Sequence, residues 1–163
     1  MKAGITGHQN LGNPETVVWV AENIKQATTE YQIQHGFTSL AIGADQLFAE
    51  ILSECNIPYT AVLPCREIEK TFQTPAHLAN YRRLLQNAAA RETLHFIEPA
   101  EIAFFEAGKR VVDLSDLVIA VWNGQPAKGL GGTGDAVKYA LSQKKSVLHI
   151  NPITRELTRS PER

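Results

Sequence analysis

Apolar residues occur along the chain in two spacings. Short, nearly continuous apolar runs are typical of β-strands, and apolar residues at every third or fourth position are typical of amphipathic helices. The runs predict six strands, at residues 2–6, 38–42, 59–63, 93–97, 117–122 and 146–150. The wider spacing predicts helices between them, at residues 14–35, 44–55, 67–91, 100–114 and 133–143.

The regular alternation of strand and helix predicts the fold class. It indicates an α/β domain in which a doubly wound, mainly parallel sheet of six or seven strands carries helices on both faces. The run at residues 117–122 is the most apolar and is expected to be a central strand, buried on both sides. Asn13 as the N-cap and Pro14 are predicted to open the first helix, and Gly36 to end it.

The length of the chain fits one domain. Its 163 residues and 18.0 kDa are ordinary for a single globular unit. That unit is expected to span residues 1–152. Residues 153–163 are polar and lack periodicity, so they are expected to form a flexible tail.

Composition and charge narrow the function classes. A hydrophobic fraction of 44% and a charged fraction of 20% are those of a globular protein, and a net charge of −1 argues against a protein that wraps duplex DNA. No apolar run approaches the ~18 residues that a bilayer span needs, so no membrane association is expected. Cys55 and Cys65 form no metal-ligand pattern with histidine, and they are expected to be reduced thiols of a cytoplasmic protein without a metal site.

Four predicted strands end in polar or glycine-containing clusters. Because the carboxyl ends of parallel strands share one edge of a sheet, these clusters predict a ligand site there. Glycine and aspartate are also common in the turns between strands and helices, so each cluster alone has a purely structural alternative. The clusters are Gly7-His8, Gly43-Ala44-Asp45, Pro64-Cys65-Arg66 and the loop from Trp122 to Thr133.

The segment Gly129-Leu130-Gly131-Gly132-Thr133-Gly134-Asp135 carries the strongest single signal. A helix is predicted to begin near Thr133, so free N–H groups and the positive end of the helix dipole would face a phosphate or another anion. Thr133 could bond that anion or only cap the helix. The segment is neither a Walker A motif nor the GxGxxG fingerprint.

Three further residues are site candidates with structural alternatives. Trp122 could be a platform for a base or a core aromatic residue. Arg66 could neutralise a phosphate, and His8 could line the site or cap a turn. The sequence has no GxSxG or HExxH motif that would indicate a hydrolase nucleophile or a zinc site.

These motifs together resemble the SLOG superfamily. The similarity covers residues 2–152 and rests on the order and spacing of the segments at residues 4–8, 41–50, 63–65 and 112–124 and of the Gly131-Gly132-Thr133 turn. The superfamily includes the lonely-guy cytokinin-activating proteins, the DNA-processing proteins of natural transformation and nucleotide-sensing domains of bacterial defence systems. The chain looks most similar to its small standalone bacterial members.

The resemblance implies a Rossmann-like sheet with a nucleotide-type ligand over the strand ends. Gly131, Gly132 and Thr133 would hold phosphate, Gly7 and Gly43 would let the backbone come close, and Asp45 would bond a ribose hydroxyl or cap its helix. Enzymatic members resemble PGGxGTxxE, and aligning Thr133 with the threonine of that pattern puts Ala136 where the catalytic glutamate stands. The resemblance therefore implies a sensor or carrier of a nucleotide or an ADP-ribose-like ligand, with no required cofactor.

Two other functions remain open at this point. The first is a nucleoside monophosphate phosphoribohydrolase or related N-glycosidase, in which Asp135, Asp45 or Glu106 would supply the carboxylate. The second is a DNA-associated module, against which the neutral charge balance argues, so nucleic acid is not expected as a partner. Family members often form dimers, which leaves a homodimer open.

Overall fold

The computed structural model describes residues 1–161, in which strands and helices alternate along the chain. The strands are β1 (Lys2–Gly7), β2 (His35–Thr38), β3 (Tyr59–Cys65), β4 (Ala90–Phe96), β5 (Leu117–Val121), β6 (Ser146–Ile150) and β7 (Leu157–Ser160). The α-helices are α1 (Pro14–Glu30), α2 (Ala44–Glu54), α3 (Pro75–Asn87), α4 (Glu101–Leu114) and α5 (Thr133–Ser142), and Ile68–Thr71 is a 3₁₀ turn. None of the helices in this part of the chain is both long and apolar enough to cross a lipid bilayer.

The strands form one sheet in the order β4-β3-β2-β1-β5-β6-β7. The first six pair in parallel and β7 pairs antiparallel to β6. The chain adds strands outward from β1 on one side, to β4, and then crosses to β5 on the other side. This is the doubly wound α/β fold that the sequence predicts, and its topological switch point lies between β1 and β5.

The core explains why the sequence of β5 is apolar without interruption. All five residues of β5 are buried. Leu117, Ile119 and Val121 pack into the cluster that includes residues of α1 and α2, whereas Val118 and Ala120 pack with residues of α4 and α5. Alternate side chains thus enter opposite layers, and both layers are helical.

The second strand lies earlier than its apolar residues suggest. It spans His35–Thr38 rather than residues 38–42. Leu40 has a φ of +58°, which ends the strand, and its N–H donates a hydrogen bond to Oγ1 of Thr38. Gly36, predicted to end the first helix, lies inside β2, where a Cβ would come within 2.2 Å of Leu52 of α2. The first helix ends at Glu30, while Asn13 caps its start by accepting a hydrogen bond from the Thr16 N–H.

The polar region at residues 67–91 is not one helix. The chain makes the 3₁₀ turn, then begins α3 after Thr74, whose side chain accepts a hydrogen bond from the His77 N–H. Arg91 lies in β4, which starts at Ala90. Upstream, β3 continues through Pro64 to Cys65, and the pairing register with β4 shifts there because proline has no N–H to donate.

The C-terminal segment differs from the expected flexible tail. Residues Leu157–Ser160 form the antiparallel edge strand β7. The guanidinium of Arg159 lies 4.7 Å from the ring centroid of Tyr31, and that of Arg155 lies 5.5 Å from the ring centroid of Trp19, so the segment is also held on α1. Residues 162–163 of the predicted tail lie outside the described residues.

Candidate ligand-binding site

A cleft of about 690 Å³ opens at the carboxyl ends of β1 and β2. Its walls come from five segments that are far apart in sequence: the end of β1, the segment from the end of β2 into α2, the 3₁₀ turn, the start of α4, and the glycine-rich loop that leads into α5. The residues that line the cleft include Ile5, Gly7, His8, Ser39, Ala41, Asp45, Thr71, Glu101, Phe104, Lys128, Gly131, Gly132, Thr133 and Ala136. The cleft lies at the switch point of the sheet, where ligands of doubly wound folds bind.

The base of the cleft is shaped by close backbone packing between β1 and α2. A Cβ on Gly7 would lie 2.4 Å from the Cβ of Ala44. Gly43 has a φ of +94°, and a Cβ there would lie 2.4 Å from the carbonyl oxygen of His8. The Ala44 N–H donates a hydrogen bond to that oxygen at 3.2 Å. Gly43 and Ala44 therefore form the turn beneath the cleft, and Gly7 lines the cleft itself.

His8 both lines the cleft and fixes the neighbouring loop. Its Nε2 accepts a hydrogen bond from the Asn123 N–H at 3.0 Å, so a neutral ring carries its proton on Nδ1. Its backbone N–H donates to the carbonyl of Val121 at 3.1 Å. The start of the glycine-rich loop is thereby attached to the end of β1.

The glycine-rich loop presents the start of α5 to the cleft. Gly131 has a φ of +84°, which turns the chain, and Gly132 is the N-cap of α5 in an extended conformation. Within residues 1–161, the N–H groups of Gly132 and Thr133 have no hydrogen-bond acceptor. Both residues line the cleft, so two N–H groups without an acceptor and the positive end of the α5 dipole lie on this side of it. Such an environment favours an anion, and we call this side of the cleft the anion-binding wall.

One N–H of this loop already has a hydrogen-bond acceptor within the protein. The N–H of Gly131 donates a hydrogen bond to Oδ2 of Asp135 at 3.1 Å. Asp135 therefore stabilises the loop and does not line the cleft. Ala136, which stands at the glutamate position of the enzymatic pattern, lines the cleft with a methyl group. Glu106 forms an ion pair with Lys109 at 2.8 Å and also lies outside the cleft.

Asp45 is the candidate carboxylate that the cleft contains. It is half-buried in the first turn of α2, beside Ser39 and Ala41. Burial raises the pKa of Asp45 to about 7, and hydrogen bonds from the backbone of Ala41 and Ser39 oppose that shift. The loss of water thus raises the pKa of Asp45 by more than the backbone hydrogen bonds, which favour the carboxylate, lower it.

The structure places Arg66 and Trp122 away from the cleft. Arg66 follows β3 and lines a separate crevice with Arg91 and His95. The indole N–H of Trp122 donates a hydrogen bond to the Gln125 carbonyl at 2.8 Å, and its ring lies 5.1 Å from that of His149 on β6.

Several cleft residues carry no clear signal in the sequence. The only sequence signal that Lys128 belongs to the cleft is its position directly before the glycine-rich segment. Glu101 and Phe104 belong to an amphipathic helix whose pattern indicates packing alone. Ser39 and Thr71 enter the cleft because the chain turns towards it after β2 and after β3.

Comparisons with known proteins identify the fold. No known protein family matches the chain, and no curated protein is similar to it in sequence. Among solved structures, DNA processing protein A from Helicobacter pylori, described as binding single-stranded DNA, is 16% identical with a TM-score of 0.66, and the match covers 91% of this chain and 64% of that one. The corresponding protein from Streptococcus pneumoniae is 17% identical with a TM-score of 0.66, covering 91% of this chain and 49% of that one.

A third similar structure is the molybdenum cofactor binding protein from Rippkaea orientalis. It is 17% identical with a TM-score of 0.59, and the match covers 92% of this chain and 76% of that one. These likenesses confirm the doubly wound, Rossmann-type α/β fold that the sequence predicts, and at this identity they show the fold alone. The chain spans about half to two thirds of the DNA-processing proteins. Since those proteins share the fold, the fold itself does not support the expectation that nucleic acid is no partner.

Proposed function

We propose that the chain binds a nucleotide or a nucleotide-derived ligand of the ADP-ribose type in the cleft, as a sensor or carrier. The observation that carries the proposal is the pairing of an anion-binding wall at Gly132 and Thr133 with a polar wall at Asp45. A cleft of about 690 Å³ lies within the usual range for small-molecule sites.

The two walls belong to segments that leave the sheet on opposite sides of β1. The segment with Asp45 follows β2, and the segment with Gly132 and Thr133 follows β5. A ligand whose phosphate lies at Gly132 and Thr133 would have its ribose near the end of β1. The opposite end of the ligand would lie near Asp45. Lys128 lines the phosphate side and supplies a positive charge.

The middle of the cleft is apolar. Ile5 and Phe104 line it between the two walls. Apolar surface flanked by a few polar groups is the composition that binds a sugar or a base while the polar groups fix its orientation. The fold is similar to that of a protein described as binding the molybdenum cofactor. This similarity further supports a small-molecule ligand, but it does not identify that ligand.

The test is the thermal stability of the protein in the presence of ADP-ribose. A ligand at ~100 times its dissociation constant should stabilise the folded state by about 2.7 kcal/mol, which is visible as a raised Tm. Lys128→Glu should weaken ADP-ribose binding about tenfold, because it replaces attraction with repulsion at the phosphate.

Lys138→Glu is the matched control. It makes the same charge change on the exposed side of α5, outside the cleft, and should leave affinity unchanged. Equal loss in both variants would show that overall charge, not this cleft, governs binding. No Tm shift with ADP-ribose, AMP or NAD would reject the proposed ligand class.

A second candidate function is binding of single-stranded DNA, which the fold similarity to DNA processing protein A favours. The net charge of −1 argues against it. A salt-dependent mobility shift of a single-stranded oligonucleotide, weakened by Lys128→Glu but not by Lys138→Glu, would support DNA binding at the same cleft.

A further inference from the structure

Asp45 is a half-buried carboxyl group in the wall of the cleft. It lies across β1 from the anion-binding wall, in the first turn of α2, and is half-buried beside the neutral residues Ser39, Ala41 and Thr71. We propose, on the basis of the function proposed above, that Asp45 contacts the ligand as a neutral carboxylic acid, and that ligand binding takes up a proton.

The charged surroundings of Asp45 support the neutral form. Among the groups that line the cleft, β1 contributes His8, α4 contributes Glu101 and the glycine-rich loop contributes Lys128, whereas the loop after β2 and the 3₁₀ turn contribute neutral residues. Asp45 forms no ion pair with any described residue. No cation lies within ion-pair distance to offset the loss of water by a carboxylate there, and the backbone N–H groups of Ser39 and Ala41 offset it only in part.

A bound ligand strengthens this effect. The cleft leaves Asp45 partly open to water, and a ligand that fills it removes that water, which disfavours the charged form further. In the empty protein the pKa of Asp45 is already raised to about 7 by burial. Near pH 7 both forms of the group are therefore populated, and binding should take up a fraction of a proton.

The protonation state also sets what Asp45 recognises. A carboxylate only accepts hydrogen bonds, whereas a carboxylic acid donates one through its O–H. Asp45 in the acid form therefore selects a ligand with an acceptor atom at this end, such as a ring nitrogen or a hydroxyl oxygen. It does not repel an electron-rich group, as a carboxylate would.

The first experiment follows the carboxyl group without any ligand. The ¹³C resonance of the Asp45 carboxyl carbon, assigned by its loss in Asp45→Asn, should titrate near pH 7 in the empty protein. Titration near the ordinary value of 3.8 would overturn the inference, whatever the protein binds.

The second experiment measures ADP-ribose binding by calorimetry at pH 6, 7 and 8. If only the protonated form binds, the affinity of the unmodified protein should fall about tenfold between pH 6 and pH 8. Asp45→Asn keeps a hydrogen-bond donor without a charge, so its affinity should not change with pH. Glu101→Gln removes another carboxylate from the same cleft and should retain the fall in affinity.

The outcomes separate the two proposals. A pH-independent affinity of the unmodified protein, or the same pH dependence in Asp45→Asn, would overturn the role of Asp45 and assign the effect to another group such as His8. Absence of binding of ADP-ribose, AMP and NAD at every pH, together with an Asp45 carboxyl that titrates near pH 7, would overturn the proposed function and with it the ligand contact.

Discussion

Replacing Asp45 with asparagine should change how the stability of the protein depends on pH, even without a ligand. The unfolded chain ionises Asp45 near its ordinary pKa of 3.8, whereas burial keeps the folded pKa at about 7. Between these values the folded state holds one more proton than the unfolded state. The contribution of Asp45 to stability therefore falls as the pH rises from about 4 to 7, and is constant above that range.

The size of the effect follows from the same two values. One pH unit inside this window is worth about 1.4 kcal/mol, and the interval from pH 5 to pH 8 includes about two such units, which amounts to roughly 2 to 3 kcal/mol. Because the cleft leaves the side chain partly open to water, a measured value of about 2 kcal/mol is expected. The free energy of unfolding of Asp45→Asn, relative to the unmodified protein, should rise by this amount between pH 5 and pH 8.

Urea unfolding at pH 5, 6, 7 and 8 measures the difference directly, provided that the slope with urea is the same for both proteins. Glu101→Gln is the control, since the exposed Glu101 side chain keeps its water in the folded state. Parallel stability curves for Asp45→Asn and the unmodified protein would refute the argument, because they would show that folding does not alter the ionisation of Asp45.

Two further predictions concern the turn below the cleft and the residue that leaves β5. Gly43→Ala should destabilise the protein by roughly 3 kcal/mol, because the position has a φ of +94° and a Cβ would lie 2.4 Å from the His8 carbonyl oxygen; a Tm within a degree of the original would contradict this. Trp122→Phe should lower stability by about 1 kcal/mol through loss of the indole hydrogen bond to Gln125, with ADP-ribose affinity unchanged because the ring lies outside the cleft. A clear loss of affinity in this variant would show that Trp122 reaches the ligand.

The sequence predicts the fold class well because parallel strands have a strong local signal. The uninterrupted apolar run of β5 and the glycine-rich turn before α5 are both visible over a few residues. The position of β2 is not visible in this way. Leu40 is as apolar as a strand residue, but it is buried as part of a loop, and apolarity reports burial rather than backbone conformation.

The errors at the C-terminus and at the site have a different origin. β7 has no apolar pattern because three of its four residues are exposed at the edge of the sheet, and backbone pairing with β6 orders it instead. Arg66 follows a strand end, as predicted, but which strand neighbours which is a property of the tertiary fold. The sequence singles out Asp45 through its motif, whereas its raised pKa comes from surroundings that only the folded chain assembles.

Both ends of the glycine-rich loop are attached to the protein by the hydrogen bonds from Asn123 to His8 and from Gly131 to Asp135. These attachments have a consequence for the thermodynamics of ligand capture. A loop that must become ordered around its ligand loses conformational entropy at that moment, and this loss weakens the affinity. Here the two ends are ordered when the chain folds, so that entropy is lost in folding and not in the encounter with a ligand. If the cleft holds an anion as proposed, the free energy of those contacts is therefore not reduced by ordering the ends of the loop.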